Sequence, residues 1–159
     1  MSLSHTTFSG NTYEQGLAHG EILKESIINN IEIYVNRFEN EAGVDKNELL
    51  ENSGIYLNIL REQSPEYVNG MNGIAESSGL GLLEIAMLNL RYELLYHALG
   101  RKLQYDAVDG CTSFAILQEE VENNHLLMGQ NWDWIPDVEC VLTTSIDTDG
   151  MRRMAFTEA

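Results

Sequence analysis

The stretch Asp109-Gly110-Cys111-Thr112-Ser113-Phe114-Ala115-Ile116-Leu117 marks the point at which the chain changes its period. Before it, apolar residues recur at every third or fourth position. After it, β-branched and aromatic residues come in short runs separated by turn formers. Thr112 to Leu117 reads as a strand, Glu119 to Asn124 as a polar turn, and His125 to Met128 as the returning strand. Pro136 lies in the connection that follows. Val138 to Ile146 and Met151 to Thr157 read as two further strands, joined by the turn Asp147-Thr148-Asp149-Gly150.

Upstream, from Asn11 to about Gly100, the spacing predicts four helical segments. Leu23, Ile27, Ile31, Val35 and Phe38 form one stripe, and Gly43 punctuates it. Asp45 and Glu48 have the spacing of a capping box at the head of a second helix carrying Leu49, Tyr56 and Leu60. Ser64-Pro65 starts a short third helix that runs out at Ser77-Ser78-Gly79. Leu82 opens a fourth, with Ile85, Leu88, Tyr92, Leu95 and Leu99 on its apolar face. Helices first and strands afterwards predict an α+β fold, with a predominantly antiparallel sheet over 112–157. We divide the chain into a helical region, 1–100, and the start of a catalytic sheet region, 101–159, that begins at Cys111; together they are read as one structural unit.

The chain has 159 residues, 43% of them hydrophobic and 21% charged, which is a globular composition with enough apolar material for one core. A formal net charge of −16 repels phosphate backbones and anionic lipid, so nucleic acid and membrane surfaces are not expected partners. No secretory leader or bilayer-length apolar run is seen, and Met1-Ser2-Leu3 reads as a cloning leader, so the expected location is cytoplasmic. Cys111 and Cys140 have no CxxC or framework spacing. A disulfide between them stays open, although nothing points to an oxidising compartment.

Cys111 is the first candidate for chemistry. Taken alone, a cysteine at a strand start is an inert core thiol more often than a nucleophile. The hairpin from Thr112 to Met128 changes the weighing, because it folds Gly129-Gln130-Asn131-Trp132-Asp133-Trp134 back beside Cys111. Asn131 and Asp133 then offer an amide and a carboxylate next to the thiol. Asp133 is otherwise a turn cap, and Asn131 equally a satisfier of turn backbone. Trp132 and Trp134 are candidate walls of an acyl pocket, or simply core. His19, in a Gly-flanked helical segment, reads as a packing or surface residue. His97 has no partner at ligand spacing and His125 sits beside a polar turn, so no metal site and no cofactor are expected. Glu119-Glu120-Val121-Glu122 reads as a solvated hairpin tip.

The motifs DGCTSF (109–114) and GQNWDW (129–134) resemble the isopenicillin N acyltransferase family, the acyl-CoA:6-aminopenicillanate acyltransferases. FSGNTYEQGLAHG (8–20) is similar to that family's glycine-spaced helix start, and GIAESSGLGLLEIAMLNLRYEL (73–94) to its later helices. The resemblance implies an N-terminal nucleophile (αββα) hydrolase fold, of which this chain would hold the helical layer and the first strands. It implies a precursor that cuts itself at Gly110–Cys111, and a catalytic role for Asp133. It also implies more sheet, an oxyanion-hole asparagine and an active-site arginine beyond Ala159, so we expect a truncated chain that is inactive alone. The residues fit such chemistry. Gly110 lets the thiol approach the preceding carbonyl. A freed α-amino group, with a reference pKa of about 7.7–8.0, suits a base at neutral pH. The expected substrate is a small N-acyl amide or an acyl-CoA-type molecule. The alternatives are a catalytically idle, self-associating domain with a buried structural Cys111, and a choloylglycine-hydrolase-like amidase. The long helical half before Cys111 speaks against the last. Unpaired strand edges predict a homo-oligomer, with strand exchange as one of its forms.

Overall fold

A computed structural model describes residues 4–100, 111–135 and 137–159, with side chains omitted at 99 and 100. The described residues fall into two compact units, one drawn from Met1–Leu103 and Val138–Ala159, the other from Gln104–Asp137. Among them are six α-helices and five strands, a mixed α+β content as the change of period predicts. The expectations for Met1-Ser2-Leu3, Gly110, Pro136 and the Leu99 side chain lie outside the described residues.

In the first unit a strand, β1 (Ser4–Ser9), precedes helix α1 (Thr12–Ile22). The helix starts on a reciprocal cap: Asn11 Oδ1 accepts from the Glu14 N–H at 3.0 Å, and Glu14 Oε2 accepts from the Asn11 N–H at 2.8 Å. Helix α2 (Lys24–Arg37) follows, ending in a π-helical turn, Phe38–Ala42, that closes on left-handed Gly43. Next come α3 (Lys46–Gln63), capped by Asp45 Oδ1 on the Glu48 N–H, and α4 (Pro65–Ser78), which ends on Gly79 at φ 74°. Helices α5 (Leu82–Asn89) and α6 (Arg91–Gly100) complete the layer.

Two of the four expected segments are therefore each divided. Leu23, at φ −108° and ψ 15°, separates α1 from α2, and Leu90, at φ −106° and ψ 9°, separates α5 from α6. At each break one helix closes on the leucine and the next opens from it: Leu23 N–H donates to His19 O and Ile27 N–H to Leu23 O, Leu90 N–H to Ala86 O and Leu94 N–H to Leu90 O, each at 2.9 Å. Leu23 and Leu90 are themselves buried, so the apolar stripe runs on through each break and a pattern of period 3.6 does not reveal it. The stripe residues Ile27, Ile31 and Phe38 are buried, joined by Tyr34. In α3 the buried line is Leu49, Ser53 and Leu57, with Tyr56 and Leu60 only half-buried.

Helices α1 and α4 meet backbone to backbone. A Cβ on Gly16 would lie 2.1 Å from the Gly70 carbonyl oxygen, and one on Gly73 would lie 2.4 Å from that of Tyr13. Only glycine allows this approach, and it sets the spacing of the layer.

The sheet of this unit has the order β1-β4-β5, with β4 at Cys140–Ile146 and β5 at Arg152–Glu158. β4 and β5 pair antiparallel through the turn at 147–150, as expected. β1 pairs parallel to β4, Ser4 opposite Val141, and this strand and its direction correct the expectation of sheet only over 112–157. Its sequence, SHTTFS, has a single large apolar residue and therefore no visible alternation. That residue, Phe8, is buried and stacks on the His19 ring of α1, with centroids 5.1 Å apart. Buried Asn30 of α2 fastens the sheet end: its Oδ1 accepts from the Glu139 N–H, and its Nδ2 donates to the carbonyls of Glu139 and Ala159.

The second unit contains an antiparallel ribbon of β2 (Thr112–Ile116) and β3 (Leu127–Asn131). Its connection carries a 3₁₀ turn at Gln118–Glu120 and Asn124 at φ 57°. The Phe114 ring lies over Gly129, its cross-strand partner, where a Cβ would come within 2.5 Å of it.

Candidate active site

The ribbon register decides what stands near Cys111. Thr112 pairs with Asn131 and Ser113 with Gln130. Paired strands run roughly 5 Å apart, so the backbone of Cys111 comes alongside the segment that begins at Asn131. Strand pairing stops at Thr112–Asn131; residues 132–135 continue without strand hydrogen bonding. Asn131 and Asp133 are exposed, while Trp132 and Trp134 are half-buried. The hairpin thus joins the ends of the two motifs read from the sequence, Cys111 on one and the Asn131–Trp134 segment on the other. Gly110 lies outside the described residues.

Cys111 is exposed, which removes the ground for reading it as a buried structural thiol. Cys140 differs. It is half-buried on β4, and burial, reinforced by the nearby Glu158 carboxylate, raises its thiol pKa against a smaller opposing pull from Arg91. A thiol held protonated is a poor nucleophile, so of the two cysteines Cys140 is the less suited to attack.

The other candidates separate cleanly. His19 packs, as its ring stack on Phe8 shows, and burial lowers its pKa to about 4. His97 is exposed on α6, and His125 is exposed in the loop before β3. Among the described residues no group of three or more His, Cys, Asp and Glu side chains has metal-ligand geometry, and no helix is long and apolar enough to cross a membrane. Glu119, Glu120 and Glu122 are exposed at the ribbon's connection.

One charged cluster was not read from the sequence. Glu158, at the end of β5, is buried and accepts from Tyr34 Oη at 2.9 and 3.0 Å and from Arg91 Nε at 2.8 Å. Burial works to lower the Arg91 pKa, but the Glu158 charge and Tyr34 outweigh it, and the net direction is upward. The three residues are 124 and 57 positions apart along the chain at their Tyr34 contacts, so no local pattern announces them.

Comparison with curated proteins finds a likeness to an acyltransferase. Over 130 residues, 82% of the chain, it is 28% identical to the acyl-coenzyme A:6-aminopenicillanic-acid-acyltransferase 40 kDa form of Emericella nidulans. The match covers 34% of that protein, so the chain spans about a third of the curated relative's length. No family model matches.

Proposed function

We propose that this chain carries the nucleophile of a self-processing cysteine amide hydrolase or acyltransferase, with Cys111 as nucleophile and Gly110–Cys111 as the bond it cuts. The observation that carries this is the β2–β3 register, which returns Asn131–Trp134 to the side of an exposed Cys111. The likeness to an acyltransferase supports the same reading from sequence.

The chemistry has two stages. In the first, Cys111 Sγ attacks the carbonyl carbon of Gly110, the C–N bond breaks, and the glycyl group is held as a thioester while the Cys111 nitrogen takes a proton. Water then hydrolyses the thioester and leaves Cys111 as a new N-terminus. In the second stage the freed α-amine takes the thiol proton as Sγ attacks the acyl carbon of a small N-acyl amide or acyl-CoA-type substrate. The bond from the acyl carbon to the substrate's amide nitrogen or CoA sulfur breaks, the α-ammonium returns its proton to that leaving atom, and water or an amine then takes the acyl group from the Sγ thioester and releases the thiol. Asp133 orients the α-amine, Asn131 donates to the developing oxyanion, and Trp132 and Trp134 wall the acyl group. Donors of this kind are worth about a hundredfold to a thousandfold each.

Intact mass and alkylation test the proposal. In a protein carrying this chain together with the further sequence that the resemblance implies, mass spectrometry is expected to find a fragment that begins at Cys111. Cys111→Ala is expected to leave that protein uncut and inactive, and Cys140→Ala to change little. Equal losses from both substitutions would overturn the proposal in favour of a structural pair. Residues 1–159 alone are expected to remain uncut at Gly110–Cys111.

A further inference from the structure

The β2–β3 register fixes more than which segments meet. Residues opposed in an antiparallel pair carry their side chains on one face of the ribbon, and the next pair carries them on the other. This is visible at Phe114, whose ring lies 2.5 Å from where its partner Gly129 would place a Cβ. Thr112 and Asn131 stand two residues from that pair along each strand and share its face. Ser113 with Gln130, and Ala115 with Met128, occupy the opposite face.

Cys111 directly precedes Thr112, the first paired residue of β2. Carried on by one residue, the alternation puts its thiol on the Ser113 face, where the long polar side chain across the ribbon is that of Gln130. In the same register position 111 stands opposite 132, so Gln130 is its diagonal neighbour. Such neighbours are about 7–8 Å apart, a gap that a long side chain spans. The carboxamide of Asn131 leaves from the other face. Both residues are exposed, so burial does not separate them; the pleat does.

We propose that Gln130 is a catalytic residue of the Cys111 centre, its Nε2–H donating to the oxygen of the acyl group that Sγ attacks. This rests on the reading of Cys111 as nucleophile. As Sγ adds to the acyl carbon, the carbonyl π pair moves onto that oxygen, and the pair returns when the bond to the leaving nitrogen or sulfur breaks. A carboxamide stabilises the passing charge without giving up a proton. Gln130 reaches the oxygen from the thiol's own face, and Asn131 from past the end of the ribbon.

Two experiments test this. The first uses the 159-residue chain with Cys140→Ala and reads geometry alone. Dibromobimane, which becomes fluorescent when it bridges two nearby thiols, is expected to join Cys111 to a thiol in Gln130→Cys about tenfold faster than to one in Asn131→Cys, because the two face opposite ways. Equal rates, or faster bridging in Asn131→Cys, would overturn the proposal. The second uses the longer, self-cutting protein and follows the fragment that begins at Cys111 by mass. Gln130→Met keeps the length of the side chain and removes its N–H, and is expected to slow the cut about a hundredfold. A cut at the wild-type rate in Gln130→Met, with Cys111→Ala uncut, would overturn the role of Gln130 and leave the nucleophile standing. A cut that persists in Cys111→Ala would overturn both.

Discussion

At the scale of single residues, the buried ionisable groups give the sharpest expectations. His19 has a pKa of about 4 in the folded chain and about 6.5 when unfolded. Between those values the unfolded state binds the proton and the folded state does not. Its effect on stability is therefore absent above pH 6.5, and stability falls as pH drops from there towards 4. The shift corresponds to at most about 3 kcal/mol. Urea unfolding at pH 7.5 and at pH 5 is expected to show this loss in the wild type and a smaller one in His19→Phe; equal pH slopes would refute it. Glu158 acts through its partners. Glu158→Leu leaves the half-buried Arg91 beside Tyr34 without its carboxylate and is expected to cost about 3 kcal/mol. Adding Arg91→Met should recover much of that, since the orphaned charge is what destabilises. If the two losses simply add in denaturant titrations, the pair is not coupled in this way. None of this was readable from sequence, because Tyr34, Arg91 and Glu158 converge only once three distant elements have packed.

At the scale of elements, the α1–α4 contact makes two glycines of one interface behave oppositely. Alanine in place of glycine favours an isolated helix by about 1 kcal/mol. At Gly16 that gain is overwhelmed, because the new methyl would sit 2.1 Å from a backbone oxygen that cannot swing aside. Gly16→Ala is expected to lose at least about 2 kcal/mol as the helices are forced apart. At Gly70 the nearest atom to a new Cβ is Thr12 O at 3.5 Å, an ordinary contact. Gly70→Ala should be neutral or stabilising by up to about 1 kcal/mol. Thermal melts that rank the two variants the other way would contradict the packing described. The cap at Asp45, the helix start at Pro65, the stop at Gly79 and the strands on either side of 147–150 were legible because each depends on a few adjacent residues. The breaks at Leu23 and Leu90 were hidden because each falls on a buried leucine that continues the apolar stripe. β1 was hidden because SHTTFS becomes a strand only through its partner. For the candidate site, the hairpin that joins Cys111 to Asn131–Trp134 was legible, since turn and strand signals there are local.

At the scale of the whole molecule, short-range pairing and long-range charge oppose one another. The three-stranded sheet leaves β1 and β5 as its edges among the described residues, and open edges recruit further strands. A net charge of −16 keeps copies apart, but over only about 8 Å at physiological salt. Self-association is therefore expected to rise with ionic strength at micromolar concentration. Light scattering that finds a monomer at both low and high salt would exclude it. The parallel pairing of β1 with β4 also bears on how the protein comes into being. Ser4 finds its partner at Val141, so β1 has no place to go until 137 further residues have been added. At about 5–20 residues per second a ribosome needs roughly 7 to 30 s for that. Throughout that interval Phe8 has only the nascent helices to shelter it, and a translation pause before codon 141 would prolong the exposure that a trigger-factor-like holdase is suited to cover.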